Sequence, residues 1–372
     1  MAKPRFHWFN PLGFDNRDLY TPPGQGRPVT PQYRVDAARA AERLGYEALL
    51  CMVGSYCADP WLAATYLLPQ TEKINTIVAV RPGYTHPAVI AHQTASFQDL
   101  SNGRLWLNIV STSHENELRA YGDMLDKPAR YRRSHEFMQI LNQCWQGETF
   151  DFHGEFYQVE GAGLPRRLCV RPRIFSGGSS DDGIELAARW SDVHLSYGET
   201  PPQIRDTVEK AGERAARHGR KLEFGIKINV IARRTSEEAW AEAERQLANV
   251  PDDVIARQQQ IIGTRGSTGQ ARVQALNPGH KHDLAALRPY PNIWSGSGLT
   301  GGGGGSTTLV GSFEEVAERI EEYVSIGVEH MLLSGHPLLE GAYEVAEGLF
   351  PLFRGRADIS EEAPALKAAS TI

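Results

Sequence analysis

Ile74-Asn75-Thr76-Ile77-Val78-Ala79-Val80, then Pro87–Leu100, then Asn102-Gly103-Arg104-Leu105-Trp106-Leu107-Asn108-Ile109-Val110 form the stretch on which the fold turns. The outer segments are short apolar runs of strand length, and the middle one is long enough for about four helical turns. Gly103 stands where a helix exits through the left-handed conformation. A strand, a helix and a second strand in this order predict parallel neighbours joined by a crossover.

The same grammar repeats in both directions. Further strands are predicted at Phe6–Asn10, Ala48–Met52, Arg173–Ser176, Val193–Ser196, Phe224–Ile231 and His330–Ser334. Helices are predicted at Pro31–Leu44, Pro60–Leu68, Tyr131–Trp145, Asp181–Trp190, Pro202–His218, Ser236–Leu247 and Ser312–Ile326. Gly45 and Gly327 repeat the glycine exit, and Thr235-x-x-Glu238 and Ser312-x-x-Glu315 read as capping boxes. About eight strands alternating with about eight helices predict an α/β protein, a (β/α)8 TIM barrel rather than an open doubly wound sheet. Function is then expected on the loops that follow the strands. Two segments exceed ordinary loop lengths, Ser111–Arg130 and Pro251–Gly311, and the second carries five consecutive glycines, Gly301–Gly305. It is expected to form a mobile lid. Phe150–Val159 reads as a small hairpin around His153-Gly154. The domain reading is one barrel over residues 1–356, with an insertion at about 251–311 and a polar tail at 357–372.

Composition narrows the class. The 372 residues are 41% hydrophobic and 23% charged, with a net charge of −6. That describes an ordinary globular protein and excludes a basic, electrostatically driven nucleic-acid binder. Four cysteines lack zinc-type or redox spacing, the N-terminal segment is no signal peptide, and no apolar run has membrane-spanning length. A cytoplasmic protein is the expectation, with no nucleic-acid or membrane partner.

Several segments carry chemistry. Ser176-Gly177-Gly178-Ser179-Ser180-Asp181-Asp182-Gly183 joins a strand to a helix. Glycines admit close backbone approach, serines donate hydrogen bonds, and a helix N-terminus favours anions, so a phosphate site and a serine-capped tight turn are both open here. Asn108-Ile109-Val110-Ser111-Thr112-Ser113-His114 leaves a strand with a polar run suited to a ring edge or to ordinary solvation. Trp8, Cys57 and Arg81 sit at or just beyond strand ends. His280-Lys281-His282-Asp283 lacks the further clustered ligands a metal needs, so no metal is predicted.

Taken in order, Phe6-His7-Trp8-Phe9, Arg43-Leu44-Gly45-Tyr46, Val80-Arg81-Pro82, Leu100-Ser101-Asn102-Gly103-Arg104, Arg130-Tyr131, the Ser176–Asp181 segment and Leu333-Ser334-Gly335 resemble the bacterial-luciferase-like flavin monooxygenases. The reduced-FMN-dependent alkanesulfonate monooxygenases are the branch most similar. The resemblance runs from about Phe6 to Phe353. It implies a barrel with luciferase-like insertions that uses reduced FMN (FMNH2) from a separate NAD(P)H-dependent flavin reductase. Molecular oxygen (O2) then forms a peroxyflavin that oxygenates a small organic substrate. It also implies a homodimer or homotetramer.

By position, Gly178, Ser179 and Ser180 are expected at the FMN phosphate, with Tyr131 on the phosphate or ribityl side. Asn108, Ser111 and Thr112 are expected along the ring and ribityl chain, with Trp8 and Arg81 also among the cofactor-binding candidates. Cys57 matches a family cysteine near the flavin. The chain departs from the sulfonate branch in the proposed substrate pocket. Gly13 replaces a His, Tyr197 a Trp and His336 a Tyr, Lys227-Ile228-Asn229 replaces an Arg-x-His pair, and the glycine run lacks the lid Arg. Tyr197, Lys227, Asn229 and His336 are therefore expected to form a redesigned pocket, in which His336 is a proton donor or acceptor. An alkanesulfonate or related organosulfur compound is the first substrate expectation. The alternatives are a nitrogen- or carbon-centred biosynthetic substrate, a deazaflavin-dependent oxidoreductase and a non-catalytic flavin-binding protein.

Overall fold

The computed structural model describes residues 3–11, 13, 15–22, 25–111, 115–263, 268–300 and 306–355. The chain begins with β1 (Arg5–Phe9), α1 (Pro31–Leu44), β2 (Ala48–Cys51), α2 (Pro60–Leu67), β3 (Asn75–Val80), α3 (Pro87–Ser101) and β4 (Leu105–Ile109). There follow α4 (Glu115–Ala120), α5 (Lys127–Cys144), the hairpin β5 (Phe150–His153) and β6 (Gln158–Ala162), then β7 (Arg173–Gly177), α6 (Asp181–Trp190), β8 (Val193–Tyr197), α7 (Pro201–Arg217) and β9 (Glu223–Arg233). The last part holds α8 (Ser236–Ala248), α9 (Asp252–Gly263), α10 (Thr268–Gln274), β10 (Ile293–Trp294), β11 (Thr308–Ser312), α11 (Phe313–Ser325), β12 (Val328–Ser334) and α12 (Leu338–Leu349).

Eight parallel strands close in the order β1-β2-β3-β4-β7-β8-β9-β12, with β12 returning to β1. This is the expected TIM barrel. The local signals act as read. Gly45 exits α1 at φ 91°, Asn102 and Gly103 both take positive φ after α3, and Gly327 does so after α11. Ser312 and Glu315 make a reciprocal capping box, whereas at Thr235 only the side chain-to-Glu238 N–H half forms.

Two readings change. Helix α5 starts at Lys127 rather than Tyr131, because Asp126 Oδ1 accepts from Ala129 N at 2.8 Å and Pro128 is tolerated in a first turn. Pro251–Gly311 is not one open loop. It contains α9 and α10, and β10 pairs antiparallel with β11, which extends the long strand β9 in parallel. The glycines at 301–305 and the tail at 357–372 lie outside the described residues.

Alternation along each strand separates two layers. Phe6, Trp8, Ile226, Ile228, Met331 and Leu333 face the helical shell. Phe9, Ala48, Leu50, Ile77, Phe175, Val193 and Leu332 fill the barrel. Below this plug, Arg5 Nε donates to Glu47 Oε2 at 2.8 Å, Arg173 pairs with Glu223, and both guanidiniums lie over Trp106. His7 Nε2 and His330 Nδ1 are 2.8 Å apart, and His330 Nε2 reaches Glu223 Oε2 at 2.8 Å. The barrel floor is therefore closed by packing and charge, which leaves the strands' C-terminal ends as the face for chemistry.

Candidate active site at the barrel mouth

Lys227 is the central charged group of the mouth. Its strand neighbours Ile226 and Ile228 face the shell, so Lys227 turns inward, with Nζ 5.1 Å from the Phe9 ring centroid and 5.5 Å from that of Tyr197. Burial lowers its pKa from the ordinary 10.5 to about 8. Two residues on, Asn229 is 2% exposed. Its Oδ1 accepts from Ser334 Oγ at 2.5 Å, while its Nδ2 has no hydrogen-bond partner among the described residues. A buried amide donor without a partner is costly, and this one sits beside an inward-facing cation. The pair suits an oxygen acceptor on a ligand. Asn108, between shell-facing Leu107 and Ile109, faces the same interior.

The glycine–serine segment forms a cradle on the mouth's rim. Gly178 has φ +139°, and an added Cβ would stand 3.0 Å from Tyr131 Oη and 3.1 Å from Gly183 Cα. Gly183 makes the reciprocal backbone contact, so the turn lies directly on the first turn of α6. Ser180 caps that helix, accepting from Gly183 N at 3.3 Å and reaching Tyr131 Oη at 3.5 Å. Gly178, Ser179, Ser180 and Tyr131 are thus brought together as the sequence predicts. Two hydroxyls, a phenol and a helix N-terminus suit a phosphate group. Asp181 opposes this electrostatically, but it is exposed and paired with Arg214 at 3.2 Å.

Arg81 and Cys57 meet at the loops that follow β3 and β2. Arg81 is 6% exposed, and its Nη2 donates to Glu117 Oε2 on α4 at 2.9 Å. Glu117 Oε1 accepts from Ser55 N at 2.7 Å, which ties α4 to the loop carrying Cys57. Burial and the Glu117 charge push the Cys57 thiol up to about 11, so it stays protonated at neutral pH. Ser111 lies 2.9 Å from Ser134 Oγ on α5. Thr112 lies outside the described residues.

One predicted residue, Trp8, is placed elsewhere. Trp8 faces the shell rather than the mouth; it is 1% exposed, packs on Tyr46 and donates from Nε1 to the Leu338 carbonyl at 3.0 Å. Strand alternation explains the correction, since Phe9 occupies the inward position. His336 leads from β12 toward Asp15 and Asn16, which raise its pKa against the larger lowering by burial. His282 lies 3.8 Å from Asp252, an ordinary surface pairing.

The insertion expected as a lid supplies a cover through residues that the sequence did not single out. Gln270 Nε2 on α10 donates to Tyr197 Oη at 3.2 Å. Arg272 Nη2 stands 2.7 Å from Glu199 Oε2, a carboxylate with no exposed side-chain surface. Burial pushes Glu199 up to about 7 against the pull of Arg272. Only the acid in Gly198-Glu199-Thr200 at a strand's end was a signal in the sequence, because its partner lies far along the chain.

Solved structures place this geometry among known barrels. Riboflavin lyase, solved with modified FMN and riboflavin, superposes with a TM-score of 0.78 at 20% identity, covering 98% of this chain and 94% of that one. EDTA monooxygenase from Chelativorans sp. BNC1 gives 0.75 at 18% identity, covering 96% and 94%. Long-chain alkane monooxygenase gives 0.74 at 19% identity, covering 98% and 94%. The profile described as "Luciferase-like monooxygenase" matches residues 5–330, nearly the whole barrel. The chain therefore belongs to the luciferase-like monooxygenase family and is an oxidoreductase enzyme.

Proposed function

We propose that this enzyme is the oxygenase of a two-component system that takes reduced FMN from a separate NAD(P)H-dependent flavin reductase and oxygenates a small organic substrate with O2. The observation that carries the reading is the juxtaposition of the Gly178–Ser180 cradle with a mouth holding buried Lys227 and the unpartnered amide of Asn229. Ser179, Ser180 and Tyr131 would hold the FMN phosphate, and Asn108 and Ser111 would line the ribityl chain and ring edge. Bound reduced FMN supplies the electrons that activate oxygen. The protein's part is to orient the ring, exclude water and position the substrate. The plug of Phe9, Leu50 and Leu332 closes the mouth from below, and α10 closes it from above. Lys227 and Asn229 offer a charged and a neutral donor to one acceptor group on the substrate. A sulfonate remains the first candidate, although Lys is a point charge rather than a bidentate fork.

The test is anaerobic titration with reduced and with oxidised FMN, followed by rapid mixing with oxygen and a substrate screen that begins with sulfonates and sulfite release. Tighter binding of the reduced form with substrate-dependent oxygen consumption is expected. Equal or absent FMN binding, or selective binding of a deazaflavin, overturns the proposal.

A further inference from the structure

Helix α10 rests on the mouth through four of its first five residues. Lys127 Nζ donates to Thr268 Oγ1 at 3.1 Å. Gly269 lies so close that an added Cβ would stand 3.0 Å from both Ser179 Oγ and Tyr197 Cδ2. Gln270 reaches Tyr197, and Arg272 donates to the Gln203 carbonyl at 3.2 Å besides pairing with Glu199. Apolar burial contributes little, since Gly269 and Val273 are the helix's buried residues. The contacts to Thr268, Gln270 and Gln203 are polar, and water replaces such bonds on release.

The Arg272–Glu199 pair differs in kind. Glu199 belongs to the barrel, between β8 and α7, where Tyr323 Oη donates to its backbone carbonyl at 2.5 Å. Among the described residues no other group hydrogen-bonds its carboxylate. Lifting α10 removes the cation that pairs with this acid among the described residues, so Glu199 must either stay desolvated as a lone anion or take up a proton, and either costs free energy. We infer that Glu199 and Arg272 are positioning residues that latch α10 over Ser179 and Tyr197, so that a phosphate-bearing ligand enters or leaves the cradle only when this pair separates. The access half of the inference rests on the proposed phosphate role of Ser179; the latch itself does not.

Hydrogen–deuterium exchange of peptides covering residues 268–274, in the cofactor-free protein, tests the latch directly. Arg272→Met is expected to accelerate exchange there by roughly tenfold or more, with the β12 peptide unchanged. The double variant Glu199→Gln/Arg272→Met is expected to exchange more slowly than Arg272→Met alone, because an amide at 199 needs neither a counter-charge nor a proton. Arg272→Lys falls between wild type and Arg272→Met. Wild-type exchange in Arg272→Met, or a double variant at least as fast as the single one, overturns the latch. Stopped-flow release of reduced FMN tests access: a rise parallel to α10 exchange supports it. Loosened α10 with unchanged FMN release overturns control of access and locates the failure in the cradle assignment rather than in the latch.

Discussion

Replacing Lys227 with Met is predicted to stabilise the protein while abolishing turnover. Depressing a lysine pKa from 10.5 to about 8 corresponds to a desolvation cost of about 3 kcal/mol at neutral pH. The Phe9 and Tyr197 rings, at 5.1 and 5.5 Å, return part of that, on the order of 1 kcal/mol. Met keeps the length and apolar volume of the side chain, so the variant gains about 2 kcal/mol at pH 7. The sign with pH follows from proton counting. Between about pH 8 and 10.5 the unfolded chain holds the lysine proton and the folded chain does not, so wild-type stability rises with pH there. The advantage of Lys227→Met therefore shrinks toward zero across that window. Urea denaturation of both proteins at pH 7, 8.5 and 10, with matched slopes, reads the difference directly. A variant less stable than wild type at pH 7, or an advantage that does not change with pH, refutes the reasoning. Unimpaired substrate turnover refutes the functional half.

Gly178→Ala combines a φ of +139° with contacts of 3.0 and 3.1 Å to Tyr131 Oη and Gly183 Cα, and the latter is backbone that cannot turn aside. It should cost roughly 2 kcal/mol and weaken FMN binding at least tenfold, as measured by denaturation and titration. Trp8→Phe removes the indole N–H that reaches the Leu338 carbonyl and part of a buried ring, so about 1–3 kcal/mol of stability is lost while FMN affinity stays at the wild-type value. His7, His135, His194, His330 and His336 have pKa values held below the ordinary 6.5 by burial, the value for His194 being about 4. Each binds a proton on unfolding in acid, so stability falls below pH 6.5 by up to about 1.4 kcal/mol per pH unit per histidine. His194→Leu should reduce the slope by up to about 1.4 kcal/mol per pH unit in a pH series of denaturation measurements.

The barrel was legible because each strand–helix joint carries its own local chemistry. Gly45, Gly103, Gly327 and the Ser312 box act over a few residues, and each barrel strand is a short, largely buried segment between such joints. The cradle was legible for the same reason, since Gly178, Ser180 and Gly183 meet within one turn. Trp8 was misplaced by a single step of alternation. The run Phe6-His7-Trp8-Phe9 offers an aromatic or His at every position, and an all-apolar buried strand does not announce which face is inward. The insertion hid its helices because α10 has seven residues and one buried apolar side chain, too little for a periodic signal.

What lies at the mouth is illegible for a deeper reason: its polar groups are matched across the chain, not along it. Arg81 finds Glu117 from a helix beyond the next strand, Glu199 finds Arg272 from the insertion, and Asn229 finds Ser334 from the last strand. Each pairing leaves its neighbours in sequence unremarkable. Lys227 shows the consequence most clearly. In sequence it is a lysine between two isoleucines, compatible with any half-buried strand. Closure of the barrel turns it onto Phe9 and Tyr197, strips its water, and places the open amide of Asn229 two residues away on the same inward face. A fold selected for stability alone would fill that position with an apolar side chain. A desolvated cation kept there, at a cost the pH series measures, is what the proposed ligand site requires.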